Sequence, residues 1–224
     1  QPMEIAVNHI AKKYRGKVVL RDVSFEASDG MCIGILGSNG SGKSTLLSIL
    51  AGIQRPDGGR FLCDGKDLLK DGKIRSARVG YVPQGTALIP ELTGWDNLLL
   101  WYDKKDLQQQ LTKGVLRLLE VEEFLHKPVC KLSGGMKKRL SIGCSMARCP
   151  QLLLLDEPTA ALDLACKQTI GNYLRAYKKA GGILVLITHD PEELSLCDAW
   201  YILKDGVLEA YAYDGNIQKL VENM

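Results

Sequence analysis

One apolar run and the loop that follows it constrain this chain more than any other feature. Met31-Cys32-Ile33-Gly34-Ile35-Leu36 shows no polar alternation, so it reads as a strand buried on both faces, as in a parallel sheet. It stops at Gly37-Ser38-Asn39-Gly40-Ser41-Gly42-Lys43-Ser44, which fits the pattern G-x-x-x-x-G-K-[ST]. Residues 45–51, opening with Thr45, then read as a helix that ends near Gly52. Strand, glycine-rich loop and helix in that order are what a phosphate cradle requires. The glycines let successive backbone N–H groups turn inward, and the helix adds the positive end of its dipole. Lys43 is placed to neutralise β- and γ-phosphates, and the Ser44 hydroxyl to ligate Mg²⁺. A glycine-rich turn without a ligand is the bland alternative, and the flanking strand and helix argue against it.

The loop alone does not separate kinases, GTPases and ATPases; a second apolar run narrows the choice. Leu152-Leu153-Leu154-Leu155 ends in Asp156-Glu157. A buried strand closing on adjacent carboxylates brings Asp156 within reach of the same Mg²⁺ and leaves Glu157 to orient and deprotonate an attacking water. A positioned base of that kind contributes ~10² to 10⁴-fold in rate. A third run, Ile183 to Ile187, is followed by Thr188 and His189. At the C-terminal end of a parallel strand His189 faces the ligand crevice, where it could hold a γ-phosphate and Glu157 in place. A lone histidine is as often structural, and the local residues leave both readings open.

Elsewhere the pattern is mixed. Val23, Phe25 and Ala27 alternate with Ser24 and Glu26, and Arg60-Phe61-Leu62-Cys63 runs into the turn Asp64-Gly65. From about 92 to 148 helical spacing takes over: Trp95, Leu98, Leu99 and Tyr102 share one face, as do Leu107, Leu111, Val115 and Leu118. A helix is expected over 164–179, and a hairpin through Asp205-Gly206. Alternating strand and helix imply an α/β sheet domain. At 224 residues, with 46% hydrophobic and 25% charged residues, one domain with a full core is expected. A net charge of +3, with basic residues scattered among acids, argues against a nucleic-acid partner. The exception, Lys137-Lys138-Arg139, reads as a solvated helix face. Seven cysteines without a Cys-x-x-Cys pair point to free thiols in a reducing compartment. There is no leader pattern, and no apolar run approaches the ~18 residues of a membrane span, so a soluble, cytoplasmic protein is expected. Gln1 and Pro2, ahead of Met3, are set aside as appended residues. About fifteen residues follow the 200–209 hairpin, too few for another domain within this segment.

Further motifs complete the set. Leu132-Ser133-Gly134-Gly135-Met136, Gln84 after Val79-Gly80-Tyr81-Val82-Pro83, Leu155-Asp156-Glu157-Pro158-Thr159, Ala161-Leu162-Asp163 and His189 keep a characteristic order around the glycine-rich loop. From about Glu4 to its C-terminus the chain resembles the ABC (ATP-binding cassette) ATPase family. The resemblance implies an α/β, P-loop NTPase (RecA-like) core with an N-terminal antiparallel β subdomain and an inserted α-helical subdomain. One ABC ATP-binding domain would span 1–224, with core and β subdomain at about 3–91 and 149–224 and the helical subdomain at about 92–148.

What the resemblance implies for the site follows residue by residue. ATP and Mg²⁺ are the ligands. Gly37, Ser38, Asn39, Gly40, Ser41, Gly42, Lys43, Ser44 and Thr45 hold the phosphates; Ser44, Gln84 and Asp156 hold the metal; Glu157, His189 and Lys43 form the catalytic set. Tyr14 would stack on adenine. Two copies would sandwich two ATP molecules head to tail, with Ser133, Gly134 and Gly135 of one contacting the γ-phosphate held by the other and Asp163 at the interface. Gln84 would move with the helical insertion. A separate transmembrane permease would dock near Gln84 to Trp101, making the protein peripheral on the inner face of the cell membrane. Met136 stands where glutamine is commonest and Ala160 where serine is usual. Met136 and the basic residues after it resemble the exporter-associated branch, so export is the expected direction. A soluble relative acting on ribosomes or nucleic acid is the alternative; such proteins carry paired cassettes or coiled-coil arms, and neither is seen. A GTPase would need Asn-Lys-x-Asp, and a kinase leaves residues 132–136 unexplained.

Overall fold

The computed structural model describes residues 3–223; Gln1 and Pro2, set aside above as appended, lie outside them, as does Met224. The chain opens with a long hairpin, β1 (Glu4–Tyr14) and β2 (Lys17–Ser28), and enters β3 (Cys32–Leu36) and α1 (Lys43–Leu50). β4 (Gly58–Cys63), the short β5 (Lys66–Asp67), α2 (Gly72–Arg78) and β6 (Val79–Val82) follow. Four helices, α3 (Gly94–Leu99), α4 (Lys104–Lys113), α5 (Val115–Leu118) and α6 (Gly134–Ser145), occupy the middle with two 3₁₀ turns, and residues 92–148 contribute no strand. β7 (Leu152–Asp156), α7 (Leu164–Lys179), β8 (Ile183–Ile187), α8 (Pro191–Leu196), β9 (Ala199–Lys204), β10 (Val207–Tyr211) and α9 (Ile217–Asn223) complete the fold.

The strands join in the order β5-β4-β1-β2-β10-β9-β3-β8-β7-β6. One half is antiparallel, with β1 between β2 and β4; the other pairs β6, β7, β8, β3 and β9 in parallel. Chemistry follows the division. In β2, Val23, Phe25 and Ala27 are buried while alternate residues are less so, because one face is covered. In β3, β7 and β8 every residue is buried, as helices cover both faces of a parallel sheet. The order β3-β8-β7 matters most. It sets the C-terminal ends of three neighbouring strands on one rim, ~4.8 Å apart strand to strand. Gly37 leaves the first, His189 follows the second and Asp156 ends the third.

Two sequence expectations fail, each for a local reason. Leu107, Leu111, Val115 and Leu118 do not form one helical stripe. Gly114 is extended (φ −111°, ψ −154°), and the Gln110 side-chain oxygen accepts from Val115 N, so α4 stops and α5 restarts out of phase. Leu118 is consequently 54% exposed, while Leu116 and Leu119 are buried. Nor is Lys137-Lys138-Arg139 a solvated face, since Lys138 and Arg139 are buried. Lys138 Nζ donates to the carbonyls of Pro83 (2.8 Å) and Gln84 (3.0 Å). Arg139 donates to Leu119 O, pairs with Glu120 and Glu123, and lies 4.9 Å from the Phe124 ring centre. α6 is wedged between the parallel sheet and the helical segment, and both cations are spent tying it to each. All seven cysteines are free, five of them buried.

Candidate active site

The loop after β3 curls back on itself. Gly37 has φ 150°, and a Cβ there would come within 2.6 Å of Leu203 O, so the backbone approach itself demands glycine. Gly42, left-handed at φ 106°, turns the chain into α1. Lys43 is buried at the first turn, and its Nζ donates to Gly37 O (2.7 Å) and Ser38 O (2.9 Å), so the ammonium closes the loop into a ring. Burial pulls its pKa below the ordinary lysine value, while Glu157 and Asp156 act the other way. Ser41 Oγ is buried without a partner, a polar atom left for a ligand oxygen. Beside the loop lies a cleft of about 430 Å³ lined by Ser38–Ser41, Lys17, Arg21 and Lys204. Tyr14 is exposed at the end of β1, paired in register with Lys17; it neighbours this cleft without lining it.

Four other side chains, Asp156, Glu157, Gln84 and His189, gather on the side of Lys43. Asp156, at the end of β7, is 3% exposed, and its charge supports the ionised form of Lys43. Glu157 follows in a left-handed conformation at φ 48°, which is strained for a residue with a Cβ and is held by its N–H donating to Ile187 O at 2.8 Å. Gln84 Nε2 donates to Glu157 Oε2 at 3.3 Å, and His189 Nε2 stands 4.0 Å from Oε1. Burial, and then the Lys43 charge, lower the His189 pKa against the pull of Glu157, so the imidazole is neutral near pH 7. Ser44, Gln84 and Asp156 come from three different elements and offer only hard oxygen donors. That all-oxygen set, two neutral donors and one carboxylate, fits a Mg²⁺ that keeps some of its waters.

The 133–135 loop lies apart. Ser133 caps α6, its Oγ accepting from Met136 N at 3.2 Å. A Cβ on Gly135 would sit 2.2 Å from Cys166 Sγ, so the loop is pressed against the first turn of α7, which Asp163 caps. Among the described residues no hydrogen bond joins it to the phosphate loop. Sequence reasoning missed Lys138, which anchors the Gln84 backbone, and Cys166, which packs under Gly135. It also missed the buried Glu193. Only Lys138 left a trace in the sequence, at i−4 from the apolar Ile142 on one helical face.

A strand-loop-helix phosphate cradle, with an Asp-Glu pair at the end of the next strand but one in the same parallel sheet, is the site pattern of phosphate-loop nucleotide-binding proteins. The chain belongs to the ABC transporter family, whose profile matches residues 20–160. It is 36% identical to a spermidine/putrescine import ATP-binding protein of Spiroplasma citri, over 98% of this chain and 64% of the relative. It is also 36% identical to the Nod factor export ATP-binding protein I of Sinorhizobium fredii, over 90% of this chain and 60% of the relative. Thus the chain spans less than two thirds of the length of these relatives. A solved ATP-binding cassette, dimeric in a post-hydrolysis state with ADP and phosphate, superimposes with a TM-score of 0.81 at 28% identity, covering 92% of this chain and 96% of that one. Export, expected from Met136, is not supported: relatives named for import and for export are equally identical to this chain.

Proposed function

We propose that the chain is the ATP-binding and ATP-hydrolysing subunit of a transporter, driving solute movement through a separate membrane subunit. The convergence of Gln84, Glu157 and His189 across from Lys43 carries this reading. Backbone N–H groups of residues 38–44 and the Lys43 ammonium hold the triphosphate. Ser44, Gln84 and Asp156 would hold Mg²⁺, which would supply charge neutralisation at the phosphate oxygens. Glu157 accepts the proton of the attacking water. His189, neutral, donates from one nitrogen and so steadies a phosphate oxygen without repelling Lys43. Tyr14 stacks on the base from the rim of the 430 Å³ cleft.

Two further proposals concern partners. Ser133, Gly134 and Gly135 cap the nucleotide of a second copy, in keeping with the dimeric cassette of similar fold, and Asp163 lies at that interface. The helical unit, about 92–148, moves against the core formed by about 3–91 and 149–224. Between them lies a largely apolar groove of about 710 Å³, lined by Ile53, Ala87, Leu88, Trp101 and Cys144 among others, which accepts a short helix of the membrane subunit. No helix among the described residues is long and apolar enough to cross a membrane. Direction is left to the partner, since Met136 does not decide it.

Glu157→Gln tests the core of the proposal. It keeps the Gln84 contact and removes the base, so the variant should retain MgATP and elute as a dimer in size-exclusion chromatography with MgATP. Hydrolysis at the wild-type rate would overturn the assignment of the base, and a monomer under saturating MgATP the shared site. Recovery with ribosomes rather than with membranes would transfer the chain to the alternative class.

A further inference from the structure

Behind the catalytic rim lies a buried carboxyl that the mechanism above does not use. Glu193, in α8, is 5% exposed. Thr188, the residue before His189, donates its hydroxyl to Glu193 Oε2 and accepts from Asp190 N at 3.0 Å. The other carboxyl oxygen, Oε1, is buried without a hydrogen bond. So is Thr159 Oγ1, two residues after Glu157. These orphans are neighbours, since the Thr159 hydroxyl lies close enough to stabilise the ionised carboxyl. Around them, Lys167 bonds Asp190 at 2.7 Å, and Lys138 is near enough to feel the Glu193 charge. Burial raises the Glu193 pKa, against the two hydroxyls that favour its ionised form.

Two buried polar atoms left unpaired side by side are costly, and a small inward movement of either segment would satisfy both. The segments are the two that matter: 157–159 carries the base, and 188–190 carries His189. We propose that Glu193 is a positioning residue that latches the Glu157 turn to the His189 loop, its second hydrogen bond, to Thr159, closing as the site assembles around nucleotide. The latch rests on the proposed ATP hydrolysis for its purpose but not for its existence. It acts through geometry: a base displaced by a fraction of an ångström from its water loses rate without losing substrate.

The test uses the full chain with MgATP and four variants: Glu193→Gln, Thr159→Val, Thr159→Ser and the Glu193→Gln/Thr159→Val pair. Glu193→Gln and Thr159→Val should each lower kcat about tenfold or more, the effect of a buried charged hydrogen bond, while KM for ATP moves less than about twofold. Thr159→Ser, which keeps the hydroxyl, should restore kcat, and the pair should lose no more than either single variant. Amide hydrogen exchange in MgATP supplies a readout without turnover. Protection in both 157–163 and 188–190 should fall in either single variant, although Thr159 lies in only the first segment and Glu193 in neither. Additive losses in the pair, or exchange that rises only beside the mutated residue, would overturn the latch. A wild-type chain that failed to hydrolyse ATP would count against the proposed function, and the exchange coupling would still decide the role of Glu193.

Discussion

His189 sits 4.0 Å from Glu157 and within the field of Lys43, so its titration reports the balance between a carboxylate and an ammonium. Burial and Lys43 outweigh Glu157, and the folded chain therefore releases the imidazole proton below the ordinary value of 6.5. The sign for stability follows. Between the two pKa values the unfolded chain binds the proton that the folded one refuses, so this residue's contribution is lost as pH falls below about 6.5. In the nucleotide-free chain, NMR of the three histidines should give His189 a midpoint under 6.5, with assignment through His189→Gln. Glu157→Gln should lower that midpoint further, because the carboxylate is the group that holds it up. A midpoint at or above 6.5, or an upward move in Glu157→Gln, would show that the neutral imidazole assigned to the site is wrong. The role of His189 was open to the sequence only as one of two readings, because its meaning depends on Glu157 lying one strand away.

At the scale of elements, what could be read was what is local. The loop 37–44 and the leucine run into Asp156 announce themselves, since a fully buried strand has no polar alternation to hide it. α7 was legible end to end, because Asp163 caps it and its apolar face keeps one period. The phase break at Gly114 was not, since a period count carries through a glycine that the backbone does not. Buried cations were not legible either. Arg139 looks solvated until α6 is packed against residues 119–124, and its partners lie 16 to 20 positions away in the chain. That packing makes a prediction. Arg139→Ala removes a hydrogen bond to Leu119 O, a cation over Phe124 and the aliphatic stem between them. Because Glu120 and Glu123 are more than half exposed, no buried charge is stranded, and the loss should be moderate: about 2 kcal/mol. For a chain of this size that is roughly 4–8 °C in Tm, measured by calorimetry. Arg139→Lys should recover little of it, since an ammonium cannot reach both a carbonyl and the carboxylates from one plane. An unchanged Tm in Arg139→Ala would mean that α6 is held by its apolar face alone.

The whole molecule raises a question that no residue answers by itself, namely why the 133–135 loop is built like an anion site yet turned toward α7 instead of the phosphate loop. Within one chain it makes no hydrogen bond to residues 37–44, while Gly135 is locked against Cys166 and the Asp163 cap. A Ser-Gly-Gly loop at a helix N-terminus with no ligand in its own chain is explained if its ligand belongs to another copy. ATP binding and ATP hydrolysis should then obey different laws of concentration. The first binding step uses the phosphate loop of a single chain, so below the concentration at which dimers form the fluorescence of a bound ATP analogue should titrate with one dissociation constant, independent of protein concentration. Hydrolysis needs two chains, so at low concentration the rate should rise with the square of protein concentration, and activity per chain should level off only when the dimer saturates. Ser133→Ala should weaken hydrolysis and leave that first binding step alone. Fusing two copies through a flexible linker provides the decisive comparison, because tethering raises the effective concentration to about millimolar and should abolish the concentration dependence. A membrane partner that seats two copies side by side would act in the same way, converting a collision into a fixed neighbourhood. If the unlinked chain instead shows a rate strictly proportional to concentration from nanomolar upward, each site is complete within one chain, and the 133–135 loop needs another ligand.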